Sequence, residues 1–209
     1  MDADKRIDDP AAPSAAVGEL DRLKAGNERF VSGAAHFPTV QKEVLEELAK
    51  GQHPFATILC CSDSRVPPEL IFDSDFGELF IIRVAGNVMS SEVAGSLQYA
   101  GRHLQTPLFV VLGHTKCGAV SAALATRLHG TRQHSRIQVL VDSILPGLAD
   151  VDPQLQPEAM LEQAVEANVR WSMRQILETP EGRERQAESR YRLVGAICDI
   201  ESGRVRFLE

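Results

Sequence analysis

Three short apolar runs, at residues 55–60, 79–84 and 108–112, limit what this chain can fold into more than any other feature. Each is too short for a stable helix, is mainly apolar rather than alternating, and is flanked by turn-forming or polar residues such as Pro54, Ser62 and Asp63. A strand buried on both faces has this signature. Helical periodicity fills the intervals and the region beyond: residues 91–104, 118–128 and 137–148, where Ile137, Leu140, Val141, Ile144 and Leu148 share a face. A longer helix is predicted over 157–177, with Leu161, Val165, Val169, Met173 and Ile176 on one stripe. Strands alternating with helices predict an α/β fold, a mainly parallel central sheet flanked by helices.

The ends of the chain read differently. Leu20, Leu23, Phe30 and Val31 recur at helical spacing and predict an amphipathic helix ending near Gly33; a second helix is expected between Pro38 and Gly51. Residues 1–18, rich in Ala, Asp and Pro, read as a flexible tail with no secretory organisation. The charged segment 178–190 reads as a solvated loop, and the last residues as two strands turning at Glu201, Ser202 and Gly203, a carboxyl-terminal hairpin extending the sheet.

With 209 residues, 44% of them hydrophobic, one domain over 19–209 is the expectation. Twenty-nine acidic against 22 basic residues leave a formal charge of -7, which argues against nucleic acid or an anionic membrane as partner. No apolar run approaches the roughly 20 residues needed to span a bilayer. The four cysteines, two of them adjacent, do not form a small-domain disulfide framework, so reduced thiols and a cytoplasmic location are expected.

Chemistry concentrates directly after two of the strands. Cys61, Ser62, Asp63, Ser64 and Arg65 follow the first, and His114, Thr115, Lys116, Cys117 and Gly118 follow the third. Residues leaving the carboxyl ends of parallel strands face a common crevice. A lone Cys after a strand, or a lone His-x-x-Cys, is more often core packing than a site. Their joint placement reverses the weighing. Two thiolates and an imidazole from Cys61, His114 and Cys117 suit zinc, and three protein ligands leave a fourth position for water, as in catalytic sites. Cys60 is expected on the opposite side of its strand from Cys61, and Cys198 in the terminal hairpin.

The strings CSDSRVPPELIFD, GELFIIRVAGNV, GSLQYA and VVLGHTKCGAV, together with LKAGNERFVSG near the amino terminus, resemble the beta carbonic anhydrase family. The match is dense over about 52–120 and only an outline in the last third. The resemblance implies a zinc enzyme that reversibly hydrates carbon dioxide to bicarbonate and a proton, with hydroxide on the metal oriented by an Asp63–Arg65 dyad. It also implies that Asp63 can serve as a fourth metal ligand when its Arg partner is lost. Gln52, Phe80, Tyr99 and the backbone of Gly118 are the implied walls of the carbon dioxide pocket. Residues 19–51 become a helical arm embracing a second subunit, so a homodimer or dimer of dimers is expected.

Ala94, Gly95, Ser96, Ala100 and Gly101 are small enough for close helix approach at such an interface, or within one chain. Gly86 and Asn87 suit a turn. Lys116 reads as solvated. His36, His53, His103, His129 and His134 are possible proton relays, with no ground for choosing among them. Two other functions fit less of the sequence: a carbonyl sulfide or carbon disulfide hydrolase of the same fold, and a non-catalytic module clipped by a closed metal site.

Overall fold

The computed structural model describes residues 12–36, 42–187 and 191–208. Five strands form one sheet: β1 (Ala56–Cys60), β2 (Leu79–Arg83), β3 (Leu108–His114), β4 (Arg192–Cys198) and β5 (Val205–Leu208), in the order β2-β1-β3-β4-β5. All neighbours are parallel except β4 and β5, which form the antiparallel hairpin. β1 and β3 are buried along their whole length, which explains why they are mainly apolar. The chain leaves β1 toward β2 on one side and reaches β3 on the other. The crevice at the carboxyl ends of β1 and β3 is therefore the topological switch point, where open α/β sheets bind ligands.

Helices cover both faces. On one lie α4 (Ser91–Tyr99), α5 (Gly118–His129), α6 (Ser135–Ile144) and α7 (Pro157–Glu178), which bury Leu97, Val120, Val141, Val165 and Val169 with Leu59, Phe109 and Val111. On the other lie α1 (Ala12–Val31) and α3 (Pro68–Ile71), with Leu20, Leu23 and Ile71 against Ile58, Val110 and Leu112. Strand alternation separates the neighbouring cysteines accordingly: Cys61 joins the first layer and Cys60 the second. Gly113 in β3 brings α7 close, since a Cβ there would lie 2.6 Å from Val169 Cγ2.

Several expectations need correction. α1 begins at Ala12, inside the supposed 1–18 tail, because Ala16 is buried one turn before Leu20; residues 1–11 lie outside the described residues. α2 covers Lys42–Leu48, and 37–41, where its start was expected, also lie outside. Over α1 the helical arm makes contacts within its own chain as well: buried Asn27 donates to the carbonyls of Ile71 and Gly203 and accepts from the Val205 N–H at 2.8 Å. Ile137 is exposed rather than part of the buried face of α6, and a 3-10 turn at Leu145–Leu148 follows that helix at Pro146.

The supposed loop 178–190 contains a helix, α8 (Pro180–Ala187). Tertiary contacts decide this, because the Arg185 guanidinium lies over the Phe109 and Tyr191 rings and donates to the Gly101 carbonyl. That carbonyl belongs to a π-helical turn, Ala100–Leu104, that ends the α4 helix. Charge periodicity carries no trace of such docking.

Candidate metal centre

The turn after β1 carries Cys61 and Asp63, and the turn after β3 carries His114 and Cys117. The donor atoms of Cys61, His114 and Cys117 all lie within 4.8 Å of one another, and all three residues are buried. Asp63 stands outside this group of three, with its Oδ2 3.9 Å from His114 Nε2.

The imidazole is poised as a ligand. Its Nδ1 lies 2.9 Å from the Thr115 carbonyl, which can only accept, so Nδ1 carries the proton and Nε2 a lone pair. Nε2 is buried and has no hydrogen-bond partner among the described residues. Leaving such an atom unsatisfied in a protein interior is costly, and a cation between it and the two sulfurs removes the cost. One backbone partner on the far ring nitrogen and a bare near nitrogen is how metal-binding histidines are oriented. The donor set therefore fits zinc.

The sulfurs are prepared for it. Hydrogen bonding with Cys117, helped by the Gly86 N–H at 3.3 Å and the Asp63 backbone, holds the Cys61 thiol well below its ordinary range, against the opposing effect of burial. The same bond, with burial, pushes Cys117 up in the metal-free pair, although Cys117 caps α5 and the Val120 and Ala119 N–H groups favour its thiolate. One proton shared between two sulfurs is what a divalent cation displaces. Cys60 and Cys198 behave as ordinary core thiols, pushed by burial to about 12 and about 11.

Arg65 clamps Asp63. Its Nε and Nη2 donate to Oδ1 at 2.9 Å and Oδ2 at 2.7 Å, and its backbone N–H adds a third bond at 3.0 Å. These bonds hold Asp63 well below the usual carboxylate range, so it is ionised at any working pH. The turn is fixed from β2 by a residue that sequence reading passed over. Arg83 donates to the carbonyls of Cys61 at 3.1 Å and Asp63 at 2.6 Å. Its position at the end of an edge strand was the available signal.

The second turn is tied to the terminal hairpin. The Thr115 N–H donates to the Cys198 carbonyl, its hydroxyl to Asp199, and the Ile200 N–H to that hydroxyl. Lys116, expected to be solvated, pairs with Glu201 and adopts a positive φ of 56°.

The remaining anticipated site residues divide. Gly118 opens α5 beside Cys117. Gln52, Phe80 and Tyr99 are elsewhere in the same chain. Gln52 precedes β1, whose five residues span about 16 Å before Cys61. Phe80 pairs with Thr57, three residues short of the carboxyl end of β1, and stacks on Tyr99 at 6.0 Å; Tyr99 is 45% exposed and also meets His103 at 5.1 Å. His36 lies far from the crevice chemistry, with Asp73 at the end of α3.

Comparison with known proteins agrees with this geometry. A family model described as carbonic anhydrase matches residues 56–205, spanning both ligand turns. Carbonic anhydrase 2 of Mycobacterium tuberculosis is 46% identical over 132 residues, 63% of this chain and 64% of that protein, so the match spans under two thirds of the relative's length. A carbonic anhydrase of Synechocystis is 30% identical over 198 residues, 89% of this chain and 70% of the relative. Among solved structures, the beta-carbonic anhydrase CcaA superposes with a TM-score of 0.72 at 28% identity, covering 92% of this chain and 88% of that one. A tetrameric beta-carbonic anhydrase of Sordaria macrospora shares the fold with a TM-score of 0.73 at 23% identity, covering 91% and 97%. With most of its length inside the family model and its ligand turns at the ends of β1 and β3, this chain belongs to the beta-class carbonic anhydrases.

Proposed function

We propose that the chain catalyses the reversible hydration of carbon dioxide to bicarbonate and a proton, with zinc held by Cys61, His114 and Cys117. The observation that carries the reading is the buried, partnerless His114 Nε2 facing two cysteine sulfurs, with an Arg-clamped carboxylate alongside. Bound there, zinc supplies a Lewis acid that makes water acidic enough to act as a nucleophile near neutral pH. The chain's residues do the rest. Asp63, kept ionised and aimed by Arg65, accepts a hydrogen bond from the attacking oxygen and turns a lone pair toward the carbon of carbon dioxide. Because Arg65 occupies both carboxylate oxygens, Asp63 is held back from becoming a fourth ligand, which favours an open site at rest.

The pocket walls come from a second copy of the chain in this reading. Phe80 and Tyr99 pack together near the amino end of the edge strand β2, whose Leu79–Ile82 side chains are only half-buried, and Gln52 precedes the neighbouring strand β1. An edge of this kind invites pairing or cover. A homodimer, or a dimer of dimers, would place these residues beside a partner's metal. Stopped-flow carbon dioxide hydration by zinc-replete protein, with metal content measured on the same sample, tests the function. Zinc-dependent turnover is expected; one zinc per chain without turnover would overturn it.

A further inference from the structure

Helix α7 reaches the metal site without touching it. Its sheet-facing stripe is apolar except for Asn168 and Ser172, one turn apart and each 1% exposed. Asn168 Nδ2 donates to the Gly86 carbonyl at 2.8 Å, and Ser172 Oγ to the Asn87 carbonyl at 2.9 Å. Asn87 Nδ2 returns a bond to Ser172 Oγ at 3.4 Å. Two successive carbonyls of the short turn Ala85–Asn87 are thus gripped from one helix. The same turn presents the Gly86 N–H to Cys61 Sγ at 3.3 Å.

We propose that Asn168 and Ser172 are positioning residues that hold the Gly86 N–H on the Cys61 sulfur, and so set how tightly the site binds zinc and how much electron density that sulfur gives the metal. Burying polar side chains in an apolar layer is unfavourable unless every group is paired. Asn168 Oδ1 is buried with no partner among the described residues, so the asparagine is a poor choice for packing alone. What its amide does accomplish is to fix the peptide that follows Gly86, as Ser172 fixes the next one, so that the residue whose own N–H faces the sulfur is held in place. An N–H held on the sulfur draws electron density from it and fixes where it stands relative to the other two donors, so a turn held in place holds the ligand in place. Outer partners of metal ligands act in this way, and losing one lowers metal affinity about 10–100-fold.

The test uses the full chain with Asn168→Ala and Ser172→Ala, the conservative Ser172→Thr, and Ile176→Ala as a control one turn further along the same buried face. Zinc affinity is measured by chelator competition, and the sulfur-to-metal charge-transfer band is recorded on the cobalt-substituted protein. Both polar deletions should weaken zinc binding about tenfold or more and move the band to lower energy, while Ser172→Thr stays close to wild type. Ile176→Ala should lower stability without moving either readout. Unchanged affinity and band in the deletions, or equal changes in Ile176→Ala, would overturn the proposal. Should Asn168→Ala fail to fold, Ser172→Ala decides by itself. The inference rests on the metal reading: a wild-type protein that takes up no zinc sinks both, whereas zinc-binding wild type with unmoved deletions sinks this one alone.

Discussion

Replacing Gly86 by alanine adds one methyl group at the point where the Ala85–Asn87 turn passes between α5 and α6. Gly86 has a φ of 71°, a conformation that costs an L side chain about 1–2 kcal/mol. The new Cβ would lie 2.8 Å from Ile144 Cδ1 and 3.0 Å from Ala119 Cβ. Ile144 can swing its terminal methyl, but Ala119 is fixed in the first turn of α5. Overpacking of this kind costs about 1–3 kcal/mol. Strain and overpacking together predict a loss of about 2–5 kcal/mol, or a midpoint lowered by about 4–20 °C for a chain of this size. Urea unfolding of metal-free protein at fixed concentration measures this without the contribution of bound zinc. Gly18→Ala in α1, where an added Cβ meets nothing within 4 Å, is the matched control and should be stabilising by up to about 1 kcal/mol. A loss below about 1 kcal/mol in Gly86→Ala would refute the view that this turn is tightly set.

Asp63→Asn should retain zinc and lose most turnover, measured by stopped-flow hydration with metal analysis; near-normal turnover would remove Asp63 from the mechanism. Two thiolates cancel the charge of the metal, so water at the site is less acidified than with neutral ligands, and kcat/KM should rise from mildly acidic to alkaline pH; a flat profile would contradict this. Burial works to raise the Asp73 pKa, but hydrogen bonds from Arg29 and the His36 N–H prevail and hold it low. A lowered folded value means stability present above the usual carboxylate pKa of about 3.9 and lost as pH falls through the folded value. Wild type should therefore lose more stability than Asp73→Asn between about pH 5 and the acid limit, read from urea midpoints; parallel acid losses would refute it.

Much of the fold was legible because burial on both faces leaves an unmistakable pattern. β1 and β3 are mainly apolar runs for that reason, and each leads into polar residues at the carboxyl-terminal rim of the sheet. The metal trio was legible for the same reason, since strand ends place Cys61 and His114 side by side. α8 was not, because its order comes from Arg185 lying between two rings and a carbonyl far away in sequence. Nor could spacing say that Phe80 pairs with Thr57, near the amino end of β1 and away from the turn that carries Cys61; strand direction and register decide that. Asn168 and Ser172 left a faint mark, two polar residues spaced i, i+4 within an apolar stripe. Arg83 left less, a single charge at the end of β2 whose two carbonyl partners only appear once β1 lies beside it.

The account depends on sulfur from two separate turns meeting one imidazole around a single ion. X-ray absorption at the zinc edge, on protein loaded with one equivalent, reports those donors directly. Two sulfur and two lighter scatterers are expected, and both sulfurs should fall to one in Cys61→Ser and in Cys117→Ser alike. A spectrum without sulfur, or one that either substitution leaves unchanged, would contradict the central claim.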